Sequence, residues 1–298
     1  MKICNTIDEM RAARHARASR RRPHSRTHPP GVEQSNSEAC GLVPTMGALH
    51  QGHISLVRAA RKECDLVAAS LFVNPLQFGP NEDLAKYPRD FDRDRTMLEQ
   101  EGVDVLFAPS VDEMYPAGAV TYVTVEGLSD RLCGRSRPGH FRGVTTVVAK
   151  LFNIVQPDVA FFGQKDAAQV AIIRRMVLDL NIPVQIVTCP IVREADGLAM
   201  SSRNAYLDSQ QRKSALALYR SLMRVQAQFD QGERKAIKLM EAGQGAFAEE
   251  PSVRLDYLEI VDPETLDRVE DVSRTALVAV AAFVGNTRLI DNIVLSPA

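Results

Sequence analysis

Short apolar runs alternate with helical patterns along most of this chain, and this alternation is the strongest constraint on its fold. The apolar runs cover residues 41–43, 66–73, 103–107, 122–125, 159–162 and 184–188. Helical patterns separate them at 53–63, about 90–101, 143–155 and 166–180. A repeated strand–helix–strand order favours a mostly parallel sheet with helices on both faces. Ligands of such sheets bind where strands end and helices begin.

The pattern changes after residue 191. Two long helical stretches, 209–229 and 233–249, precede three predicted strands at about 253–261, 276–284 and 288–295. We therefore expect an α/β domain over residues 1–191 and a smaller α+β domain over 192–298. A length of 298 residues suits two such domains.

The composition excludes several classes of protein. With 45% hydrophobic and 24% charged residues, the chain is typical of globular proteins. Its longest apolar runs are shorter than the roughly 18 residues that a membrane helix needs, so we expect no membrane span. The five cysteines, at positions 4, 40, 64, 133 and 189, form no CxxC pair. Their spacing argues against a zinc ribbon or a disulfide framework and favours the reducing cytoplasm.

Residues 11–28 form a basic segment with seven arginines, three histidines and no acidic residue. Such segments occur in transit peptides and in nucleic-acid-binding arms. Thr6 and Glu9 have the spacing of a capping box, which indicates that the start of the chain is folded. We expect a solvated helix end followed by a flexible basic insertion at about residues 20–38. The acidic remainder of the chain argues against nucleic-acid binding as the main function.

The segment Pro44-Thr45-Met46-Gly47-Ala48-Leu49-His50-Gln51-Gly52-His53 lies between the first apolar run and a helix. Glycines at a strand-to-helix turn let backbone N–H groups approach an anion, and the helix N-terminus adds a partial positive charge. His50 and His53 are three residues apart, so both can donate hydrogen bonds to phosphate oxygens. A metal pair is the alternative, but no third ligand of the HExxH type accompanies the two histidines.

These residues resemble the nucleotide-binding signature of the pantoate–β-alanine ligase (pantothenate synthetase) family, within the HxGH nucleotidylyltransferase superfamily. Further segments agree with the family in the same order along the chain. They are FVNPLQF at 72–78, YPR at 87–89, RPGHFRGV at 137–144, FFGQKD at 161–166 and VRE through GLAMSSRN at 192–204. The resemblance covers roughly residues 40–298 and implies a Rossmann-like nucleotidylyltransferase domain followed by the smaller domain.

The resemblance implies an ATP-dependent ligase that acts in two steps. Pantoate and ATP form an enzyme-bound pantoyl adenylate and pyrophosphate, and the amine of β-alanine then displaces AMP to give pantothenate. A carboxylic acid with a pKa of about 4 is already ionised at neutral pH, so the first step needs no general base. Catalysis then depends on positioning and charge stabilisation. The family also implies a homodimer and Mg²⁺ on the ATP, whose protein ligands are not readable from the sequence.

The resemblance also assigns site residues. The expected catalytic groups are His53, at the position of the family's proton donor, with His50, Lys165 and Arg203. Expected ATP contacts are Met46, Gly47, Ala48, Leu49, His50, Gln51, Gly52, His53, Gly163, Gln164, Lys165, Asp166, Val192, Met200, Ser201, Ser202 and Arg203. Gln77 and Gln169 match the positions that hold pantoate, Gln77 also lies near β-alanine, and Asn74 assists.

Other polar residues are ambiguous. Asp90, Asp92 and Asp94 resemble a metal cluster, but residues two apart on a helix point to different sides, so a solvated charged face is expected. The basic loop Arg137–Arg142 could close over phosphates or anchor a dimer. The turn 194–197 is expected to be a hinge that lets the second domain close over the adenylate. Ala167 and Ala168 replace larger residues of the family next to Gln169 and put its packing in question.

Two other functions fit parts of the sequence. A nucleotidyltransferase acting on a phosphate-bearing acceptor would share the HxGH site, but it would not need Gln77 and Gln169. A nucleic-acid-binding protein would use the basic segment, with an affinity that falls steeply with salt.

Overall fold

A parallel sheet of six strands organises the first part of the computed structural model, which describes residues 1–18, 38–80 and 82–297. In chain order its strands are β1 (Lys2–Cys4), β2 (Cys40–Thr45), β3 (Leu66–Leu71), β4 (Val105–Phe107), β5 (Val159–Gly163) and β6 (Gln185–Cys189). Their order in space is β1-β4-β3-β2-β5-β6. The strand order reverses between β2 and β5, and open α/β sheets bind their ligands at such a reversal.

Helices cover both faces of this sheet, which explains why its strands are continuously apolar. They are α1 (Ile7–Ala18), α2 (Gln51–Glu63), α3 (Phe91–Gln100), α4 (Val111–Met114), α5 (Cys133–Ser136), α6 (His140–Val155) and α7 (Ala167–Asp179). In β3, Ala68 packs in the hydrophobic cluster that contains residues of α6 and α7. Its neighbours Val67 and Ala69 pack in the opposite cluster, with residues of α2 and α3.

The C-terminal part is an antiparallel sheet of three strands, β7 (Val253–Val261), β8 (Ala276–Val284) and β9 (Thr287–Leu295). Three helices precede it, α8 (Ser209–Ser214), α9 (Leu216–Asp230) and α10 (Ala236–Ala248). In the central strand, Val278 and Val280 pack against α9 and α10. Leu277 and Ala279 face the other way and join the core of the first sheet. The two sheets are therefore held together by a continuous apolar interface.

The structure confirms the expected fold class, and most predicted elements lie within a few residues of their observed bounds. Thr6 and Glu9 form the predicted capping box, because the N–H of Thr6 donates to the Glu9 carboxylate and the N–H of Glu9 donates to the Thr6 hydroxyl oxygen. The predicted basic insertion at about 20–38 lies outside the described residues except for Glu38. Within the described ranges, no helix is long and apolar enough to cross a membrane.

Two predicted elements are wrong. Residues 122–125 form no strand; instead the backbone of Val123 bonds to the hydroxyl groups of Thr145 and Thr146 on α6. The helix predicted at 209–229 is two helices, because the N–H of Leu218 bonds to the carbonyl of Ala215 only three residues back and tightens the backbone there.

A close contact between α6 and the segment after β3 fixes the position of Gln77. At Gly143, a Cβ atom would collide with the backbone of Leu76 and Gln77. The amide of Asn74 donates to the Gly143 carbonyl at 3.0 Å and fixes the same contact from the other side. Glycine is therefore required at this point of α6, and the approach brings Gln77 to the carboxyl end of the parallel sheet.

Candidate functional site

A central cleft of about 230 Å³ lies at the carboxyl ends of β2, β3 and β5. It brings together most of the residues predicted from the sequence. Those that line it are Met46, His50, Gly52, His53, Asn74, Gln77, Gly163, Lys165, Asp166, Gln169, Val192, Met200, Ser201, Ser202 and Arg203. Predicted residues that do not line it are Gly47, Ala48, Leu49, Gln51 and Gln164. The cleft combines a polar, cationic rim with an apolar wall built largely from α6.

The two histidines form the N-terminal cap of α2. The Nδ1 atom of His50 accepts the N–H of Gly52 at 3.1 Å, and the Nδ1 atom of His53 accepts the N–H of His50 at 3.3 Å. This is a capping box built from histidines in place of the usual Ser or Thr and Glu. A Cβ atom at Gly52 would stand 2.9 Å from Nδ1 of His50. The glycine between the two histidines is therefore a steric requirement of the cap.

The cap fixes the tautomer of both rings. Because each Nδ1 atom accepts a hydrogen bond, the proton of each neutral ring is on Nε2. Burial, with the positive charge of Lys165 nearby, lowers the pKa of His50 to about 4. Burial, His50 and Lys165 lower the pKa of His53 to about 3. At neutral pH both rings are uncharged and line the cleft as Nε2–H donors.

The loop between β2 and α2 has a demanding backbone conformation. Gly47 has φ 85° and Ala48 has φ 51°, the left-handed region that a non-glycine residue adopts at a cost. Asp94 of α3 holds this loop, because its carboxylate accepts the N–H groups of Ala48 at 2.7 Å and Leu49 at 2.9 Å. Arg93 donates to the Leu49 carbonyl at 3.1 Å.

The prediction that Asp90, Asp92 and Asp94 form a solvated face is therefore wrong for Asp94. This residue is only 2% exposed, whereas the Asp92 side chain is 85% exposed. Burial raises the pKa of Asp94, and the two amide hydrogen bonds oppose that rise. Among the described residues, no group of three or more His, Cys, Asp or Glu could hold a metal ion.

The two expected cations have different surroundings. Lys165 follows β5 and lines the cleft, with its ammonium 4.0 Å from the carboxylate of Asp166. Arg203 also lines the cleft but forms a bidentate ion pair with Asp83, in which its Nη2 and Nε atoms donate to the two carboxylate oxygens at 2.9 and 3.0 Å. Its guanidinium is thereby held in one orientation.

Gln164, expected at ATP, instead donates to Asn292 of β9 at 3.0 Å. Asn292 in turn donates to the carbonyls of Gln164 and Lys165 and so anchors the backbone that carries the lysine.

The amide of Gln77 lines the cleft and is positioned through several contacts, among them its Nε2 atom, which lies 2.9 Å from the sulfur of Met46 in the loop after β2. Its Oε1 atom accepts a hydrogen bond from Asn74 at 3.1 Å. The Gln77 carbonyl accepts from Nδ1 of His140 at 2.8 Å and from Arg137 at 3.2 Å. Arg137 also pairs with Glu82. The basic loop therefore positions Gln77 in this structure, a role that the sequence did not suggest.

The packing around Gln169 is regular despite the two alanines before it. Ala167 starts α7 and Ala168 is buried in its core-facing side. Gln169 is consequently held on a continuous helix and lines the cleft. The segment that follows the expected hinge lies nearby, where Ser202 donates to the Ala48 carbonyl at 3.0 Å and ties residues 200–203 to the loop after β2.

Comparison with known proteins gives a consistent result. The family model described as "Pantoate-beta-alanine ligase" matches residues 2–294. A pantothenate synthetase of Koribacter versatilis is 64% identical over 261 residues, which are 88% of this chain and 90% of that protein. The crystal structure of pantothenate synthetase from Thermus thermophilus has a TM-score of 0.89 and 48% identity, covering 98% of this chain and 99% of that one. The Francisella tularensis pantoate-beta-alanine ligase, complexed with beta-gamma ATP and beta-alanine, has a TM-score of 0.75 and 33% identity over 98% of this chain and 97% of that one.

The protonation of the two histidines can be tested by nitrogen-15 NMR. We expect both rings to remain in the neutral Nε2–H form from about pH 6 to pH 8, because burial disfavours their charged forms. Since their pKa values are lowered from about 6.5, their contribution to stability is full above about pH 6.5 and is lost as pH falls toward the folded-state values. The His50→Gln and His53→Gln variants assign the signals, and the urea-unfolded chain gives the reference. A titration midpoint near 6.5 for either ring in the folded protein would contradict the lowered pKa values, and a proton on Nδ1 would contradict the tautomer assignment.

The role of Asp94 can be tested with the variant Asp94→Asn. An asparagine side chain has only one acceptor oxygen, so one of the two loop amides would face an NH₂ group. We expect the free energy of unfolding to fall by about 1.5–3 kcal/mol, as for other hydrogen bonds to charged groups, and the affinity for ATP to fall with it.

The matched control is Asp92→Asn on the same helix, which removes a charge from an exposed side chain and should cost less than about 1 kcal/mol. Chemical denaturation and ATP titration measure the two quantities. Equal behaviour of the two variants would show that the loop does not depend on Asp94.

Proposed function

The chain belongs to the pantoate–β-alanine ligase family, and on this premise we propose how its central cleft carries out the reaction. The protein joins pantoate to β-alanine at the expense of ATP and forms pantothenate. The observation that best supports the proposed mechanism is the convergence of two neutral histidine donors, Lys165 and two substrate-reading amides on one cleft.

In the first step we place ATP against the 46–53 loop and the 163–166 and 200–203 segments. A carboxylate oxygen of pantoate attacks the α-phosphorus, and the bond from that phosphorus to the bridging oxygen of pyrophosphate breaks. Negative charge grows on the leaving pyrophosphate. Nε2–H groups of His50 and His53, together with Lys165 and Arg203, would stabilise this charge by hydrogen bonds and electrostatic attraction.

In the second step the amine of β-alanine, in its uncharged form, attacks the carbonyl carbon of the pantoyl adenylate. The bond from that carbon to the phosphate oxygen breaks, AMP leaves, and the nitrogen releases one proton as the amide forms. Neutral amides suit hydroxy-acid recognition because they can donate and accept, so we assign pantoate to Gln77 and Gln169. Asn74, which is 1% exposed and bonded to Gln77, would act by fixing the orientation of that amide.

Mg²⁺ would accompany ATP rather than occupy a protein cage. Magnesium in such enzymes is usually held by substrate phosphates, water and one or two carboxylates. Asp166 is the carboxylate of the cleft that fits this description, since its side chain is 50% exposed beside Lys165. When bound, the ion would supply charge neutralisation on the phosphates.

We further propose a homodimer in the cytoplasm, with a domain boundary near residues 191 and 192. Val120 and Tyr122 are 82% and 44% exposed on an irregular segment, which offers an apolar surface to a second copy. All five cysteines are free thiols, as expected for a reducing compartment. Sedimentation equilibrium would give twice the 32.9 kDa chain mass for the dimer.

Pyrophosphate release tests the proposed reaction. Purified protein is mixed with Mg²⁺ and ATP alone, with pantoate added, and with pantoate plus β-alanine. We expect pyrophosphate only when pantoate is present, and AMP with amide product only after β-alanine is added. Release without pantoate, or no release in any mixture, would overturn the assignment.

The variant His53→Ala tests the assigned role of the second histidine. Because a donor to the transition state is lost, the rate of pyrophosphate release should fall by about a hundredfold to a thousandfold. The affinity for ATP should change much less. His15→Ala, which removes an exposed histidine of α1, is the control and should retain the full rate. A loss carried entirely by the KM for ATP would show that His53 only binds the nucleotide.

A further inference from the structure

The hydroxyl group of Ser70 is buried in the wall of the central cleft without a hydrogen-bond partner. Ser70 is 1% exposed and lies among the residues that line the cleft. Its Oγ atom has no partner among the groups that the structure describes. Buried hydroxyl groups are nearly always hydrogen-bonded, and an exception at a binding cleft points to a group on the ligand.

The sheet places the Ser70 side chain on the face of β3 that borders the cleft. Side chains alternate between the two faces of a strand, so Ser70 lies on the same face as Ala68 and Phe72. Phe72 also lines the cleft, and so does Pro44, which is paired in register with Ser70 on the neighbouring strand β2. The Ser70 carbonyl accepts a hydrogen bond from Thr45 at 2.7 Å, which fixes the backbone at this point.

The cleft that Ser70 lines has an apolar wall. Across the cleft, α6 presents the apolar side chains of Val144, Val147, Val148 and Leu151. Such a wall suits a branched hydrocarbon group, and Ser70 adds a hydroxyl group that has no protein partner. Pantoate has this character, since a carbon with two methyl groups lies between its 2-hydroxyl group and its terminal hydroxyl group.

The position of Ser70 in the sheet selects one of these hydroxyl groups. The carboxylate of pantoate must meet the α-phosphate near Lys165, which follows β5. Strand β2 lies between β3 and β5. Ser70 is therefore about two strand spacings, or roughly 10 Å, from the line of β5. The hydroxyl group farthest from the carboxylate can reach that side of the cleft.

We propose that Ser70 forms a hydrogen bond with the terminal hydroxyl group of pantoate and is a specificity-determining residue for this substrate. The inference rests on the proposed function, because it presupposes that pantoate occupies the cleft. Gln77 and Gln169 would then bind the polar end of the acid, while Ser70 and the α6 wall bind its branched end.

A chemical double-mutant cycle tests the proposal. The wild type and Ser70→Ala are compared with pantoate and with 2-hydroxy-3,3-dimethylbutanoate, which lacks the terminal hydroxyl group. For pantoate, kcat/KM of pyrophosphate release should fall about threefold to tenfold in the variant, the usual loss for one neutral hydrogen bond. For the analogue it should stay within about twofold of the wild-type value. If the analogue is not turned over, the dissociation constants of both acids, measured by calorimetry, give the same comparison.

Ser221→Ala is the matched control. Ser221 of α9 is 0% exposed, and its hydroxyl group likewise has no partner within the described structure, but it does not line the cleft. This variant should leave both kcat/KM values unchanged. The Tm of Ser70→Ala should not be lower than that of the wild type, because the Ser70 hydroxyl group makes no hydrogen bond to the protein.

Two results would overturn the inference. Equal losses with both acids, or no loss with pantoate, would show that Ser70 does not read the terminal hydroxyl group. Failure of the proposed function is a separate result, because the wild type itself would then release no pyrophosphate with pantoate.

Discussion

The bonds from the Asp94 carboxylate to the amides of Ala48 and Leu49 are the constraint on which the rest of the site depends. They hold the loop after β2 in a conformation that Ala48 adopts at a cost, with φ 51°. Release of this loop would change the point at which α2 begins. The helix start in turn fixes the two histidines, since each ring accepts a backbone N–H of the cap.

Because histidines cap α2, the same side chains that begin the helix also supply hydrogen-bond donors to the cleft. An aspartate cap could satisfy the same amides, but an ionised carboxylate has no proton to donate to a phosphate. An imidazole accepts through Nδ1 and still has a proton on Nε2. His140 shows the opposite arrangement, because its Nδ1 atom lies 2.8 Å from the Gln77 carbonyl and must carry the proton. The fold therefore sets the tautomer of each ring through its backbone partner.

The lining of the cleft has a charged, hydrogen-bonding part and an apolar part. Charged and donor groups follow β2 and β5, and the pairing of Arg203 with Asp83 holds one cation in a fixed orientation. Apolar residues of α6 form another part of the lining, together with the segment after β3. The close contact at Gly143 joins α6 to this segment, because the helix packs directly against the backbone that carries Gln77.

The sequence predicted the parts of the site whose signal is local. The strand, glycine and histidine spacing of 44–53 defines a turn and a helix start, so the loop and the two histidines could be placed beside the cleft. Asp94 could not, because spacing along α3 describes only that helix, whereas the partners of Asp94 lie far earlier in the chain, in the loop after β2. The bond between Gln164 and Asn292 joins residues far apart in the chain and has no sequence signal. Residues 122–125 have the composition of a strand, but threonine hydroxyl groups of α6 take their backbone bonds.

Transfer of oxygen-18 from the carboxylate of labelled pantoate tests the central claim most directly. If the carboxylate attacks the α-phosphorus and the amine later attacks the carbonyl carbon, one labelled oxygen must remain on the phosphate of AMP. We therefore expect mass spectrometry to find AMP that carries one label per turnover in the complete mixture with β-alanine. AMP without the label, formed together with pantothenate, would show that no pantoyl adenylate is formed and would contradict the account.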